Sequence, residues 1–269
     1  MGAALSRLGR TGSFLWSGWS GLAALCLLAA MWQAGHEAYG DFILPSPLAT
    51  AYAAASILAD PAAWDIAFVT AKRAVQGFAV SALAGAGLGL AAGYSPATLT
   101  LARPLVTILL GVPPIAWIVL AMIWFGSTDG TVIVTILVAT TPLVFVGVAE
   151  GVMTRDRGLD AMARAFGAGA LRRLTTLGLR HVSAHLFPAL AIALGTSFKV
   201  AVMAELLANV GGVGGELART RANLDVEGAL AWVGIAVAAL IVVEYGMVHP
   251  VRAEFERWRV AARPWGVKR

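Results

Sequence analysis

The sequence contains little charge and almost no cysteine. Only 13% of its 269 residues are charged, whereas soluble domains carry roughly 25%. Hydrophobic residues make up 59%, and the mean hydropathy is +0.78. The single cysteine, Cys26, excludes a disulfide scaffold. These values exclude a water-soluble globule and a disordered chain, and they indicate a membrane protein that crosses the bilayer several times.

Several chemical patterns are also missing from the sequence. No ten-residue alternation of apolar and polar residues recurs, which argues against transmembrane strands. No G-x-x-x-x-G-K-[ST] motif occurs, so this chain is expected to hold no cofactor, and any ATP would have to be bound by a partner. His181 and His185 lack a third ligand nearby, and no nucleophile–base set stands out, so neither a metal site nor an enzyme is predicted. The basic residues flank apolar runs, so the net charge of +5 does not indicate a nucleic-acid partner.

Long runs without Asp, Glu, Lys or Arg predict six transmembrane helices, because about 20 apolar residues cross the hydrocarbon. Their approximate bounds are 14–34, 70–93, 105–125, 131–152, 186–210 and 229–251. The predicted fold is therefore all-α, with a six-helix transmembrane domain at 14–251, a cytoplasmic N-terminal segment at 1–13 and a basic cytoplasmic tail at 252–269. The first apolar run, about 21 residues, is longer than the core of a signal peptide, so it is predicted to stay as a helix.

The basic residues are distributed unevenly between the two sides of the predicted bundle. With the N-terminus inside, fifteen of the twenty Lys and Arg residues fall on the inner side, and most loop acids fall on the outer side. Because positive residues remain in the cytoplasm, both termini are predicted to be cytoplasmic. The predicted location is the bacterial plasma (inner) membrane, in contact with the lipid bilayer through several spans.

The connection between the fourth and fifth predicted spans carries an apolar stripe of helical period. The stripe consists of Leu159, Met162, Ala163, Phe166 and Ala170, and Asp160 lies off it. It predicts a short amphipathic cytoplasmic helix. Periodicity alone favours a helix lying on the lipid surface over a helix that docks in a groove of a cytoplasmic partner.

The same connection resembles the inner-loop signature of ABC importer permeases. In that signature a Glu-Ala-Ala triplet is followed by three residues, Gly, nine residues and Ile-x-Leu-Pro. Here Ala161-Met162-Ala163 stands at the triplet, Gly167 at the glycine and Leu177 to Arg180 at the end. Two positions depart from the pattern, since Ala161 replaces the Glu and Arg180 replaces the Pro.

Three further segments are similar to the sulfonate/taurine/nitrate/bicarbonate subfamily of these permeases, and they lie at 44–58, 111–126 and 199–217. Over about residues 40–260 the chain is identified by this resemblance as a type I importer permease. The resemblance implies a homodimer of this chain with two ATP-binding subunits and an extracytoplasmic solute-binding protein. It assigns coupling to the ATPase to the following residues: Leu159, Asp160, Met162, Ala163, Phe166, Gly167 and Ala170.

Candidate residues for a solute path lie in the third and fifth spans. Pro113 and Pro114 interrupt the backbone ladder of the third span, which predicts either a simple kink or a bent helix that lines the path. Lys199 lies near the middle of the fifth span, where an ammonium costs about 2.5–3.5 kcal/mol. It is therefore expected either to pair with Glu244 or to face a wet cavity, where it would meet an anionic solute.

Met203 and Glu205 complete the set of candidate path residues. Charged residues inside a membrane often mark ion paths, so Lys199, Glu205 and Glu244 leave open a second function. In that alternative the chain is a self-sufficient secondary transporter or channel.

Glycine is concentrated at two places. Gly85, Gly89 and Gly93 recur every four residues in the second span, a pattern that predicts close packing against another helix. Gly211, Gly212, Gly214 and Gly215 follow the fifth span and predict a flexible outer turn.

Overall fold

The computed structural model describes residues 2–155, 157–169, 172 and 178–248. Within these residues the chain is all-helical, as predicted. The described residues form ten α-helices, and a π-helical turn at Glu244–Val248 comes after the last of these. They are α1 (Gly2–Tyr39), α2 (Pro47–Ala59), α3 (Pro61–Tyr94), α4 (Pro96–Gly111), α5 (Pro114–Phe125), α6 (Asp129–Met153), α7 (Arg157–Ala165), α8 (Leu179–Ala208), α9 (Val213–Ala222) and α10 (Val226–Val243). The predicted basic tail at 252–269 lies outside the described residues.

Proline and short polar residues set the starts of the early helices. α2, α3 and α4 each begin with proline, whose fixed φ suits the first helical position. The residues before these prolines, Ser46, Asp60 and Ser95, each accept a hydrogen bond from a backbone N–H of the first turn. These side chains satisfy donors that a helix start otherwise leaves open.

Among the described residues, four stretches are long and apolar enough to cross a membrane. They are Pro61–Tyr94, Asp129–Met153, Val182–Ala222 and Val226–Gly246. The bent pair formed by α4 and α5 adds a fifth if it crosses as one span. The predicted first span, 14–34, lies within α1, so each predicted segment has a helical counterpart, and the count of six spans stays a prediction.

The third predicted span is not one helix. α4 and α5 meet at an angle of 96°. Val112 and Pro113 between them have extended backbones, because each precedes a proline, and a residue before proline is driven out of the α region. The predicted interruption of the third span at the proline pair is therefore present, and the pair forms an elbow rather than a simple kink.

The glycine row of α3 packs against α6. A Cβ added to Gly85 or Gly89 would lie 2.8 or 2.9 Å from the Cβ of a valine on α6, and one added to Gly93 would lie 2.5 Å from the Cβ of Val152. Gly87 falls between them in the sequence, and a Cβ there would meet nothing within 4 Å. The predicted small-residue packing is thus confirmed, and it fixes α3 and α6 in close contact.

On its other side α6 packs against α8. Gly147 leaves room for Ala189, and Gly151 leaves room for Val182. α6 is consequently the central helix of the bundle, with α3 and α8 on either side. We call the end of the bundle that contains the α6 N-terminus and the α8 C-terminus the outer end, following the predicted orientation.

Candidate translocation and coupling sites

Lys199 and Met203 lie on one exposed face of α8. Ile192, Thr196, Lys199, Met203 and Leu207 recur every three or four residues and therefore share this face. Ile192 is 51% exposed and Met203 is 40% exposed in the single chain. We call these five residues the α8 face. The structure brings together two of the candidate path residues, Lys199 and Met203, on this surface.

The predicted ion pair between Lys199 and Glu244 does not form. Within the described residues no carboxylate lies within 4 Å of the Lys199 ammonium. The Glu244 carboxylate lies one helical turn away, 3.1 Å from where a Cβ on Gly195 would sit. Lys199 is therefore exposed on a transmembrane helix without a described acidic partner.

Glu205 does not belong to the α8 face. Six residues beyond Lys199, it points to a different side of the helix and is completely buried. Its carboxylate accepts hydrogen bonds from Thr70 at 2.8 Å, from Arg73 at 2.7 Å and from the backbone N–H of Gly214 at 3.1 Å. The prediction that Glu205 lines the path is corrected, because three donors already occupy this carboxylate inside the protein.

Arg73 is the centre of this buried cluster. The Nη1 atom donates to Glu205, and the Nη2 atom donates to Asp129 at 2.6 Å. The Arg73 side chain is 8% exposed, whereas that of Asp129 is 67% exposed. We call Thr70, Arg73, Asp129 and Glu205 the Arg73 network. It joins α3, the first turn of α6 and the outer end of α8.

The glycine-rich turn after α8 is built around the same carboxylate. Arg73 also donates to the Gly211 carbonyl, and the Val213 N–H donates to the Thr70 hydroxyl at 2.9 Å. Gly212 has a φ of +127°, and a Cβ there would lie 2.5 Å from the Glu205 Oε1 atom. The turn is therefore held by the Arg73 network and leads directly into α9, which corrects the prediction of a flexible turn.

The signal for the Arg73 network in the sequence is weak. Thr70 and Arg73 stand three residues apart at the start of a long apolar run, so they share a helix face. Their partner Glu205, however, is 132 positions from Arg73 along the chain. An arginine buried at the edge of an apolar run indicates that a carboxylate partner exists, but one sequence does not identify that partner.

The predicted amphipathic helix after α6 is present as α7. Its apolar side chains face outwards, with Met162 at 53% and Phe166 at 84% exposure. Asp160 pairs with Arg164 at 2.7 Å, one turn along the helix. Leu159 is exposed and Ala163 is half-buried, while Ala170 lies outside the described residues.

α7 is shorter than the predicted stripe because Gly167 ends it. Gly167 has a φ of +76°, which strongly favours glycine. Its N–H donates to the Arg164 carbonyl, and the N–H of Ala168 donates to the Ala163 carbonyl. These two bonds form a Schellman cap. Phe166 consequently stands in the capping turn, just beyond the last helical residue, Ala165.

The elbow at Pro113 and Pro114 is not buried in the core. Pro113 is exposed and Pro114 is half-buried. From there α5 packs inward, where Ile118 joins Val200 and Ala204 of α8 in one apolar cluster. The elbow thus determines the direction of α5, which packs against α8.

Three curated relatives are permeases. The chain is 28% identical to the nitrate import permease protein NrtB of Leptolyngbya laminosa, covering 56% of this chain and 53% of that protein. It is 28% identical to the taurine transport system permease protein TauC of Escherichia coli, covering 68% and 66%. It is 25% identical to the bicarbonate transport system permease protein CmpB of Synechococcus elongatus, covering 53% and 51%. The chain therefore spans about half to two thirds of the length of these relatives.

Solved transporters have the same fold. A crystal structure of an amino acid ABC transporter with histidines aligns at a TM-score of 0.54 and 12% identity, covering 72% of this chain and 91% of that one. An inward-facing structure of the MetNI methionine ABC transporter aligns at a TM-score of 0.53 and 18% identity, covering 76% and 100%. Residues 84–249, more than half of the chain, match the binding-protein-dependent transport system inner membrane component family. The chain belongs to this family.

Proposed function

We propose that this chain is the transmembrane permease subunit of an ATP-driven importer and that it passes a small anionic solute delivered by an extracytoplasmic binding protein. The observation that carries the proposal is the family match over residues 84–249. Nitrate, taurine and bicarbonate, the solutes named for three relatives, each carry an anionic group. A lysine without a described acidic partner on the α8 face fits such a solute.

The α8 face is the proposed wall of the solute path. Lys199 lies six residues, or about 9 Å, further along α8 towards the inner end than buried Glu205. An ammonium exposed to hydrocarbon at that depth costs about 2.5–3.5 kcal/mol. A water-filled path shared with a second copy of this chain removes that cost, and it gives the solute a positive charge to meet on each side.

In the proposed assembly, two copies of this chain associate with two ATP-binding subunits. The exposed apolar residues Leu159, Met162 and Phe166 supply a surface that an amphipathic helix uses to enter a partner's groove. ATP and Mg are bound by the ATP-binding subunits, and this chain carries no cofactor. The permease lies in the bacterial plasma membrane with both termini in the cytoplasm.

Replacing Lys199 tests the path. In cells that express the complete transporter, Lys199→Met should raise the solute concentration for half-maximal uptake about tenfold, because one charge-assisted hydrogen bond, about 1.5 kcal/mol, is lost. Lys199→Arg keeps the charge and should retain most of the uptake. Lys72→Met is the matched control, since Lys72 is also exposed but lies on α3.

The outcomes of this experiment separate the alternatives. Unchanged uptake by Lys199→Met would remove the α8 face from the path, and loss of assembly would instead make Lys199 a structural residue. Uptake that continues with an ATP-binding subunit unable to hydrolyse ATP would favour a self-sufficient secondary transporter. That alternative has lost one of its three charges, because Glu205 is held by Arg73.

A further inference from the structure

A cavity of about 370 Å³ lies between the inner halves of α6 and α8. Gly147 and Glu150 line it from α6, and Ala184, His185, Pro188 and Ile192 line it from α8. It adjoins the tight contact that Gly147 and Gly151 make with α8. The volume falls at the lower end of the range for small-molecule sites.

Glu150 supplies a carboxylate among the residues that line the cavity. Glu150 is exposed, and no cation among the described residues lies within 4 Å of its carboxylate. Pro188 has no N–H, so it cannot donate to the carbonyl of Ala184 four residues earlier. The imidazole of His185 lies on the same turn as Ala184. The Glu150 carboxylate and the Ala184 carbonyl, to which Pro188 cannot donate, suit a cation with several N–H donors.

The cavity continues the α8 face towards the inner end. His185, Ile192 and Lys199 are spaced seven residues apart and therefore lie along one side of the helix. Lys199 and His185 are separated by about 21 Å along the axis. Glu150 is three residues from the end of α6, about 5 Å, which places the cavity near the inner edge of the hydrocarbon.

We propose that this cavity binds an ammonium group of the solute, so that the transported molecule is a small zwitterion. The inference rests on the proposed function and names its substrate class. The anionic group of the solute meets Lys199 first, and its ammonium group then meets Glu150 at the inner end of the path. Lys199 and the cavity residue His185 are about 21 Å apart along the axis of α8, so a small solute contacts Lys199 and the cavity in succession. A simple anion without an amine would find only a repelling carboxylate at the second position.

Binding of ethylammonium to the purified full-length chain tests the site directly. In nanodiscs that contain phosphatidylglycerol alone, saturation-transfer NMR should detect ethylammonium bound to the wild-type chain. 2-Aminoethanesulfonate should displace it, and ethanesulfonate, which lacks the amine, should not. Glu150→Gln should reduce ethylammonium binding at least tenfold. Glu227→Gln, which changes an exposed glutamate at the outer end of α10, should leave binding unchanged.

Failure of ethylammonium to bind, or equal binding by Glu150→Gln, would overturn the proposal. Displacement of ethylammonium when phosphatidylethanolamine is added to the nanodiscs would assign the site to a lipid headgroup and also overturn it. Uptake confined to anions without an amine would contradict the zwitterion. Absence of ATP-driven uptake with ethylammonium binding intact would contradict the proposed function and leave the ammonium site standing.

Discussion

At the scale of single residues, Arg73 decides the architecture of the outer end. Its guanidinium holds two carboxylates in different surroundings, Glu205 with no exposure and Asp129 with most of its surface in solvent. A buried charge is tolerated only when it is paired and hydrogen-bonded. Separating Arg73 from Glu205 would therefore leave an unpaired ion in the core. The pair between Arg73 and Asp129 is screened by water and contributes far less to stability.

The two partners of Arg73 should therefore respond differently to the same chemical change. Glu205→Gln removes the charge that compensates buried Arg73 and should lower the free energy of unfolding by about 3 kcal/mol. Asp129→Asn should lower it by less than about 1 kcal/mol. Chemical unfolding of the purified chain in detergent, followed by circular dichroism, measures both values. Equal losses in the two variants would contradict the role of burial.

Residue-scale prediction from the sequence succeeded where neighbours along the chain carry the signal. The regular spacing of Gly85, Gly89 and Gly93 predicts close packing, because residues four positions apart lie on one face of a helix. The role of Glu205 was predicted wrongly. An acidic residue in an apolar helix produces the same sequence pattern whether it lines a solute path or pairs with an arginine far away in the sequence. Long-range pairing is a tertiary property, and the spacing of charges within one helix does not contain it.

At the scale of elements, α7 combines an exposed apolar surface with a defined end. The cap at Gly167 fixes where the helix stops, so Phe166 projects from the capping turn with most of its ring exposed. The sequence predicted the apolar stripe, but the predicted stripe continues beyond the end of α7. The periodicity of apolar residues does not show that Gly167 has a left-handed backbone conformation. Gly167→Trp would strain this cap whatever docks on it, so Phe166 is the sharper probe of docking.

Phe166→Asp should uncouple ATP hydrolysis from solute uptake. The substitution would bury an unpaired carboxylate in the contact with the ATP-binding subunit, which is costly. We expect at least a tenfold drop in the ratio of solute transported to ATP hydrolysed in proteoliposomes, with normal membrane insertion. Ala161→Glu serves as the control, since Ala161 is exposed on the opposite side of α7 and the permease signature has an acid there. Full coupling in Phe166→Asp would indicate that α7 rests on the lipid surface instead.

At the scale of the whole molecule, the sequence predicted the helices well and their course less well. Apolar runs identify helices because the bilayer imposes their length, and each predicted run has a helical counterpart among the described residues. The proline pair predicted a kink or bend between α4 and α5 but not its size, because proline marks an interruption and not the angle that follows. The central place of α6 follows from packing on two sides, which no single segment specifies.

Topology is the whole-molecule property that charge distribution predicts. The lone cysteine, Cys26, allows a cysteine-free background to be made with one Cys26→Ser change. In that background, a cysteine at Asn223 should react with an impermeant maleimide in intact cells, and a cysteine at Ala161 should react only after permeabilisation, because basic segments stay inside. Both positions are exposed, so burial does not limit labelling. External labelling at Ala161 would contradict the orientation and the coupling role of α7 together.

The glycine row of α3 also determines which parts of this permease can move. Each of the three glycines lies against a valine of α6, so the valine side chains interlock with the glycine positions of α3. Sliding one helix past the other by a few ångströms would force side chains of α6 into the backbone of α3, so we expect the two helices to move together as one unit. We expect relative movement of helices where no such interlock exists, for example at the extended residues Val112 and Pro113 between α4 and α5.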